Sequence, residues 1–519
     1  MRKRLAGNTV LNIGSYVVRI AVSFVLTPIL IGRLGRESYG VWVLGNSLVI
    51  AGALSILDLG ISGAVVRFVA AAAARDDRRE VSSVINGALL AYFIIGIVAC
   101  SVVHAIRIYW FVRVFAVPPS QAPAANALLA ILAWQLLLTF PAIALAGTIE
   151  GLQRYDLLRV LDIGQSLVFA VFAGIIVSVS PNVVWLGWLL FGLSAARSAT
   201  AFVLLRKVCA TWSISAGTSA ATLRKIFVFS AQLLGVRVNA LVYNNIDKMI
   251  IGILLSSTVL ADYDVVYRLY ALGLVSLSFV SQLVVPAASD LDARGDTERL
   301  TRLKFWATKM TVAICCPVAV TTMILAEPIL RYWIGPAFVQ NVLAVRLFVG
   351  YLVLWALVPV GYNILIGTGR VFQLLWVQIP TTILNLALSI LLAPTLGIVG
   401  VIIGTVVGNA VAFCFYVPMF FGTTAAELGR FFRNVIARSY IWVAVSGVAL
   451  AGLVWRRPPQ SLAETGVMWA CSIGLFWSLY LLFGTDDDER RALNGLTRGR
   501  LARVPVLGGW FLRRAAMSG

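Results

Sequence analysis

The chemistry open to this chain lies in a few charged and polar side chains set inside long apolar runs. Seven cations fall within such runs: Arg19, Arg197, Arg237, Lys248, Arg268, Arg346 and Arg438. The clear acids there are Asp58 and Asp247, with Asp162 near a boundary. A charge at the centre of a membrane helix costs roughly 2.5–3.5 kcal/mol on insertion scales, so it faces a cavity or a partner. Cations in excess of acids suit an anionic ligand, and guanidinium groups bind phosphate bidentately.

Spacing sorts these residues into stripes. Asn8, Asn12, Ser15 and Arg19 fall within an arc of about 60° on a helix. Gln232, Asn239 and Tyr243 share an arc of about 40° in a later run. A second stripe of that run holds Arg237, Asn244 and Lys248, beside Asp247. In the next run Tyr263, Tyr267 and Tyr270 share a face, and Asp264 and Arg268 are spaced i, i+4 with the acid first, the better order for a pair. Tyrosine rings stack on pyranose rings; the competing reading is an interfacial belt, and it is the one favoured for Tyr263. Arg346 either lines a cavity or snorkels outward. Asp58 forms a stripe with Ser55 and Ser62, and three roles are open to it: counter-ion to a cavity arginine, with Arg19 nearest in sequence; a proton or sodium site; or a packing hydrogen bond to Ser62. The substrate-lining candidates are therefore Arg19, Asn12, Asp58, Arg237, Asn239, Tyr243, Asp247, Lys248, Arg268 and Arg346. Polar contacts between packed helices are the bland alternative for all the stripes.

The elements that must carry these residues are membrane helices. The chain is 60% hydrophobic and 12% charged, with a mean hydropathy of +0.92, against about a quarter charged in a soluble domain. A bilayer core needs roughly 20 apolar helical residues per crossing, and strand-type alternation is missing, which argues against a β-barrel. The expected fold is all-α and polytopic, with about 14 spans near 8–31, 41–64, 81–106, 126–149, 160–179, 183–205, 226–254, 263–288, 306–330, 342–366, 371–392, 398–421, 435–455 and 465–484. Lys and Arg fall on one side of this topology about four times as often as on the other, which places both termini in the cytoplasm. The net charge of +20 follows from that bias rather than from nucleic-acid binding.

Several features carry no chemistry. The six cysteines have neither metal-ligand nor disulfide-framework spacing. His104 has no second histidine to act with. The Arg-Lys-Arg start precedes a run interrupted by Asn8, Asn12 and Arg19, with no A-x-A site, and is a first span rather than a signal peptide. Asp486, Asp487 and Asp488 lie just past the last span as the acidic start of a tail helix. That tail, with seven arginines beside Trp510, Phe511 and Leu512, suits anionic lipid.

An internal repeat runs through the chain. PILIGRLGRESYG (28–40) echoes KMIIGILLSSTVLADY (248–263), ARDDRRE (74–80) echoes ARGDTER (293–299), and Gly151-x-x-Arg154 echoes Gly367-x-x-Arg370. An even number of spans per half makes the repeats parallel. The expected organisation is a six-helix lobe over 1–225, a second over 226–433 facing it across a central cavity, two additional helices over 434–484 and a basic tail over 485–519.

The 6 + 6 + 2 layout, the LDLGISGAVVRFVAAAAARDD segment and the IGRLGRESYG loop resemble the Wzx-type polysaccharide flippases. Their superfamily, termed MOP, also holds the multidrug MATE exporters and the lipid II flippase. The resemblance implies alternating-access transport of an undecaprenyl-diphosphate-linked oligosaccharide across the bacterial inner membrane, with no cofactor. It leaves open a coupling ion, proton or sodium, and a polysaccharide polymerase as partner. The runner-up is a MATE-type cation-coupled antiporter, in which cavity carboxylates should dominate. A membrane enzyme is disfavoured, because the longest external loop, near 107–125, holds no acidic residue. No phosphate-binding loop for ATP occurs either.

Overall fold

The computed structural model of the chain describes residues 2–49, 58, 60–209, 212, 222–228, 230, 246–422 and 424–485. The main helices are α1 (Arg2–Asn46), α2 (Ile61–Ala74), α3 (Arg78–Tyr109), α4 (Ala122–Gly151), α5 (Tyr155–Val179), α6 (Val183–Val208), α7 (Ser257–Ala293), α8 (Thr297–Ile324), α9 (Val342–Trp355), α10 (Pro359–Gly367), α11 (Val371–Leu396), α12 (Ile398–Phe421), α13 (Arg438–Arg456) and α14 (Leu462–Leu479). No strand occurs among the described residues. Eleven helices there are long and apolar enough to cross a membrane. Of the three other expected spans, 41–64 and 226–254 include residues outside the described set, and 263–288 lies on α7, where the side chains of 278, 279 and 281–283 are outside it.

The chain divides into two compact units. The first comprises residues 1–268 and 379–408, the second 269–378 and 409–519. In the first unit α4 is the central helix and packs against α2, α3 and α6. Its small residues, among them Ala133, Ala144 and Gly147, are buried, which lets neighbouring backbones approach, as membrane helix packing requires. In the second unit α8 holds the corresponding place, against α9, α10, α13 and α14.

Two local breaks position the site. The expected 32–40 loop is only a break in α1: Gly35 has φ 79° and ψ 164°, a left-handed φ that favours glycine, and helix resumes at once. Five residues on, Gly40 meets the start of α7, where an added Cβ would overlap the Ser257 carbonyl. The second break is at Asp58. It was expected inside a continuous span, but it lies in a turn before α2, with Gly60 at φ 80°.

The repeat has a matching backbone in each half. Asp77 caps α3 by accepting from Glu80 N at 2.9 Å, and Asp296 caps α8 by accepting from Arg299 N at 3.0 Å. Each cap follows a left-handed residue, Asp76 at φ 55° and Gly295 at φ 68°. Later in each half, Gln153 at φ 61° and Gly369 at φ 75° close the ends of α4 and α10. A Cβ on Gly151 would lie 2.8 Å from Val69 Cβ, and one on Gly367 would lie 2.7 Å from the Val285 carbonyl oxygen.

Candidate functional site

A cavity of about 220 Å³ opens in the first unit, lined by Arg19, Val22, Ser23, Leu26, Thr27, Leu30 and Trp42 of α1, Ser166 and Phe169 of α5, and Arg268 of α7. Positions 19, 22, 23, 26, 27 and 30 form one helical face. That face continues the stripe that ends at Arg19, so the polar stripe of the sequence leads into the cavity. Arg19 is exposed, with its guanidinium carbon 4.6 Å from the centre of the Tyr16 ring. Trp42 and Phe169 stack, with ring centroids 6.2 Å apart and planes 11° apart.

Arg268 is held from behind. Its Nε donates to Asp264 Oδ2 at 2.9 Å, and its Nη2 donates to the Tyr39 hydroxyl at 2.9 Å. Tyr39 in turn donates to Asp264 Oδ2 at 2.7 Å. Lys248 Nζ reaches Asp264 Oδ1 at 3.0 Å and lies 4.8 Å from the centre of the Tyr267 ring. One buried carboxylate therefore holds two cations, and the cluster keeps a net positive charge beside the cavity. The i, i+4 pair expected from the sequence is present, and Lys248 and Tyr39 complete it.

A second cluster surrounds Asp247, which is buried. Its Oδ2 accepts from the Tyr263 hydroxyl at 2.9 Å and from Thr405 Oγ at 3.0 Å. Thr405 also lies 3.3 Å from Asn385 Oδ1 and 3.3 Å from Val401 O, so its one proton is shared among three acceptors. Asp247 Oδ1 has no hydrogen-bond partner among the described residues. Tyr263 is only 2% exposed, so the belt reading for it fails: its hydroxyl is needed inside, on the acid. Tyr270 is likewise buried, stacked on Phe348 at 4.0 Å in the second unit.

The third cluster lies on α5, one turn before Ser166. Arg197 Nη1 donates to Asp162 Oδ1 at 2.6 Å and to Gln165 Oε1 at 3.0 Å. Arg159 Nη1 donates to Asp162 Oδ2 at 2.9 Å, with Glu150 beyond it.

Of the contacts weighed for Asp58, the hydrogen bond to Ser62 is present. Asp58 accepts from Ser62 Oγ at 2.9 Å, from Ser62 N at 3.3 Å and from the Tyr92 hydroxyl. A carboxylate in a turn satisfies the free amides of the helix start that follows. Arg19 stacks on Tyr16 instead, and the two do not form an ion pair. Arg346 is exposed on α9 of the second unit. Arg237, Asn239 and Tyr243 lie outside the described residues, as does the side chain of Asn12, and the 486–519 tail lies there too.

Residues 5–292, more than half of the chain, match the polysaccharide biosynthesis protein family. The chain belongs to that family. Over 511 residues it is 24% identical to the uncharacterized membrane protein EpsK of Bacillus subtilis (strain 168), covering 93% of this chain and 96% of that one. Its fold is similar to that of the lipid II flippase MurJ in an inward closed conformation, with a TM-score of 0.68 at 12% identity over 91% of this chain and 98% of that one. It is also similar to an inward-facing multidrug resistance MATE family transporter of the MOP superfamily, with a TM-score of 0.67 at 17% identity over 80% and 98% of the two chains. At such identities the likeness is one of fold. As a member of the polysaccharide biosynthesis protein family, with eleven helices among the described residues long and apolar enough to cross a membrane, this is a multi-pass membrane protein.

Sequence reasoning passed over Tyr39, Trp42, Ser166 and Phe169. Trp42 and Phe169 look like ordinary apolar residues, and Tyr39 was assigned to a loop. Lys309 was also missed: it lies inside the 306–330 run and is buried in α8, with Nζ 5.7 Å from the Tyr480 ring centre.

Proposed function

We propose that this protein flips an undecaprenyl-diphosphate-linked oligosaccharide from the cytoplasmic to the periplasmic leaflet of the bacterial inner membrane, for cell-surface polysaccharide biosynthesis. The observation that carries the reading is that Arg19 and Arg268 line one cavity. Arg19 has no acidic partner among the described residues, and Asp264 is shared between Arg268 and Lys248. A diphosphate supplies the missing negative charge, and an arginine pair suits its oxygens. A cation-exporting antiporter calls for the reverse balance on its cavity wall. The polysaccharide family and the fold of the lipid II flippase support the same reading. Alternating access, with both termini in the cytoplasm, is the transport mode that fits the repeat.

Asp247 is the favoured seat of a coupling ion in this reading. A buried carboxylate oxygen with no donor among the described residues is costly, and a proton or sodium ion would relieve it. Asp58, bonded through both oxygens, is less suited to that task.

The test is complementation of a deletion strain with Arg19→Ala and Arg268→Ala, with the amount of membrane-inserted protein measured alongside. Each variant is expected to cut polysaccharide export at least about tenfold, the loss of one charge-assisted contact, while still inserting. Full export by both removes the reading.

A further inference from the structure

Resting on the flippase reading, we propose that the cavity also contains a sugar subsite, in which Trp42 is the platform for a single pyranose ring, the one attached to the diphosphate. Diphosphate chemistry accounts for Arg19 and Arg268 but not for the rest of the wall. A diphosphate has no apolar face to set against Trp42 and Phe169, whereas the C–H face of a pyranose packs on an aromatic ring. The hydroxyls point the same way. Thr27 Oγ donates to Ser23 O at 2.6 Å, and Ser166 Oγ donates to Asp162 O at 2.8 Å. Each has given its proton to its own helix; Thr27 is buried, and the half-buried Ser166 offers the cavity lone pairs. Those lone pairs repel phosphate oxygens and accept from sugar hydroxyls.

Size limits the occupant. A space of about 220 Å³ is below the roughly 300–1,000 Å³ that encloses a drug-sized ligand, so the cavity wall holds one ring and leaves the rest of the oligosaccharide outside it. Position selects which ring. The arginines and the aromatic pair line the same small cavity, so the sugar held there is the one joined to the phosphate. The Trp42 ring is mostly buried and already stacked, so it gives a pre-set surface that needs no ordering when the sugar arrives. On this account Trp42 determines specificity for a glycosylated carrier over the bare one, which a flippase must leave behind.

The experiment uses the full-length protein in lipid nanodiscs and native mass spectrometry. The probes are undecaprenyl diphosphate and the same lipid carrying a single glucose or galactose. The wild type is expected to bind a glycosylated lipid about tenfold more tightly than the bare one, a gain in line with aromatic contact plus new hydrogen bonds. Trp42→Ala abolishes that preference and leaves the affinity for the bare lipid within about twofold, since the phosphate contacts are untouched. Trp42→Phe keeps most of it. Should Trp42→Ala fail to accumulate, Ser166→Ala reads the same wall and weakens only the glycosylated lipid, by about threefold. A preference unchanged in Trp42→Ala, or unchanged in Ser166→Ala where that variant stands in, overturns the subsite. So does a wild type that binds bare and glycosylated lipids alike, although the flippase reading then stands. Binding of neither lipid overturns that reading and the subsite with it.

Discussion

Arg268 donates to Asp264, one turn earlier on the same helix, at 2.9 Å, while Lys248 takes the other oxygen of that carboxylate at 3.0 Å. Asp264 is 4% exposed, so it neutralises one cation in a place where water cannot do so. Without it, two like charges would face each other in a low-dielectric setting. Breaking a buried pair is more damaging than replacing it whole. Asp264→Asn is therefore expected to destabilise the purified protein by on the order of 3 kcal/mol, seen as a lowered unfolding midpoint in detergent. Adding Lys248→Met should recover part of that loss. An unchanged midpoint in Asp264→Asn would show that the cluster has no structural weight.

Asp58 holds the start of α2 and the Tyr92 hydroxyl. An asparagine keeps an oxygen acceptor for both. Asp58→Asn should retain most export, and Asp58→Ala should lose about 1–2 kcal/mol of stability, the usual cost of a lost cap. Export abolished in a stable, well-inserted Asp58→Asn protein would restore the ion-site role for this residue.

Gly151 and Gly367 occupy matching close approaches in the two halves. Gly151→Val and Gly367→Val should each reduce folded protein, with overpacking penalties of about 1–3 kcal/mol. Gly164→Val, where an added Cβ meets nothing within 4 Å, serves as the control. Normal accumulation of both close-approach variants would contradict the packing described for the repeat.

Asp247→Asn removes the charge but keeps an oxygen for Tyr263 and Thr405. In reconstituted vesicles this variant should bind lipid-linked sugar as the wild type does, yet transport it at a rate independent of an imposed proton or sodium gradient. A gradient response equal to that of the wild type would exclude Asp247 as the coupling site.

How far the sequence carried depended on the reach of each contact. The Asp264–Arg268 pair is i, i+4 on one helix and follows from spacing alone. The caps at Asp77 and Asp296, and the glycines at 151 and 367, were marked by the repeat before any geometry was known. The stripe ending at Arg19 pointed along the face that lines the cavity. The partner of Asp58 was not visible, because Tyr92 lies 34 residues away and only tertiary packing joins them. Trp42 and Phe169 escaped notice because an aromatic residue on a membrane helix is usually there for packing. Lys309 lies inside the expected 306–330 run, three residues from its start, and its burial comes from tertiary packing that spacing does not show.

The most direct test of the central claim is to extract the lipids of a deletion strain and of strains complemented with wild type or Arg268→Ala. Mass spectrometry would then look for polyprenyl-diphosphate oligosaccharide. The account predicts that the intermediate accumulates in the deletion strain, is cleared by the wild-type protein and persists with Arg268→Ala. A deletion strain with no such accumulation, and with raised sensitivity to cationic drugs instead, would contradict it and favour the antiporter.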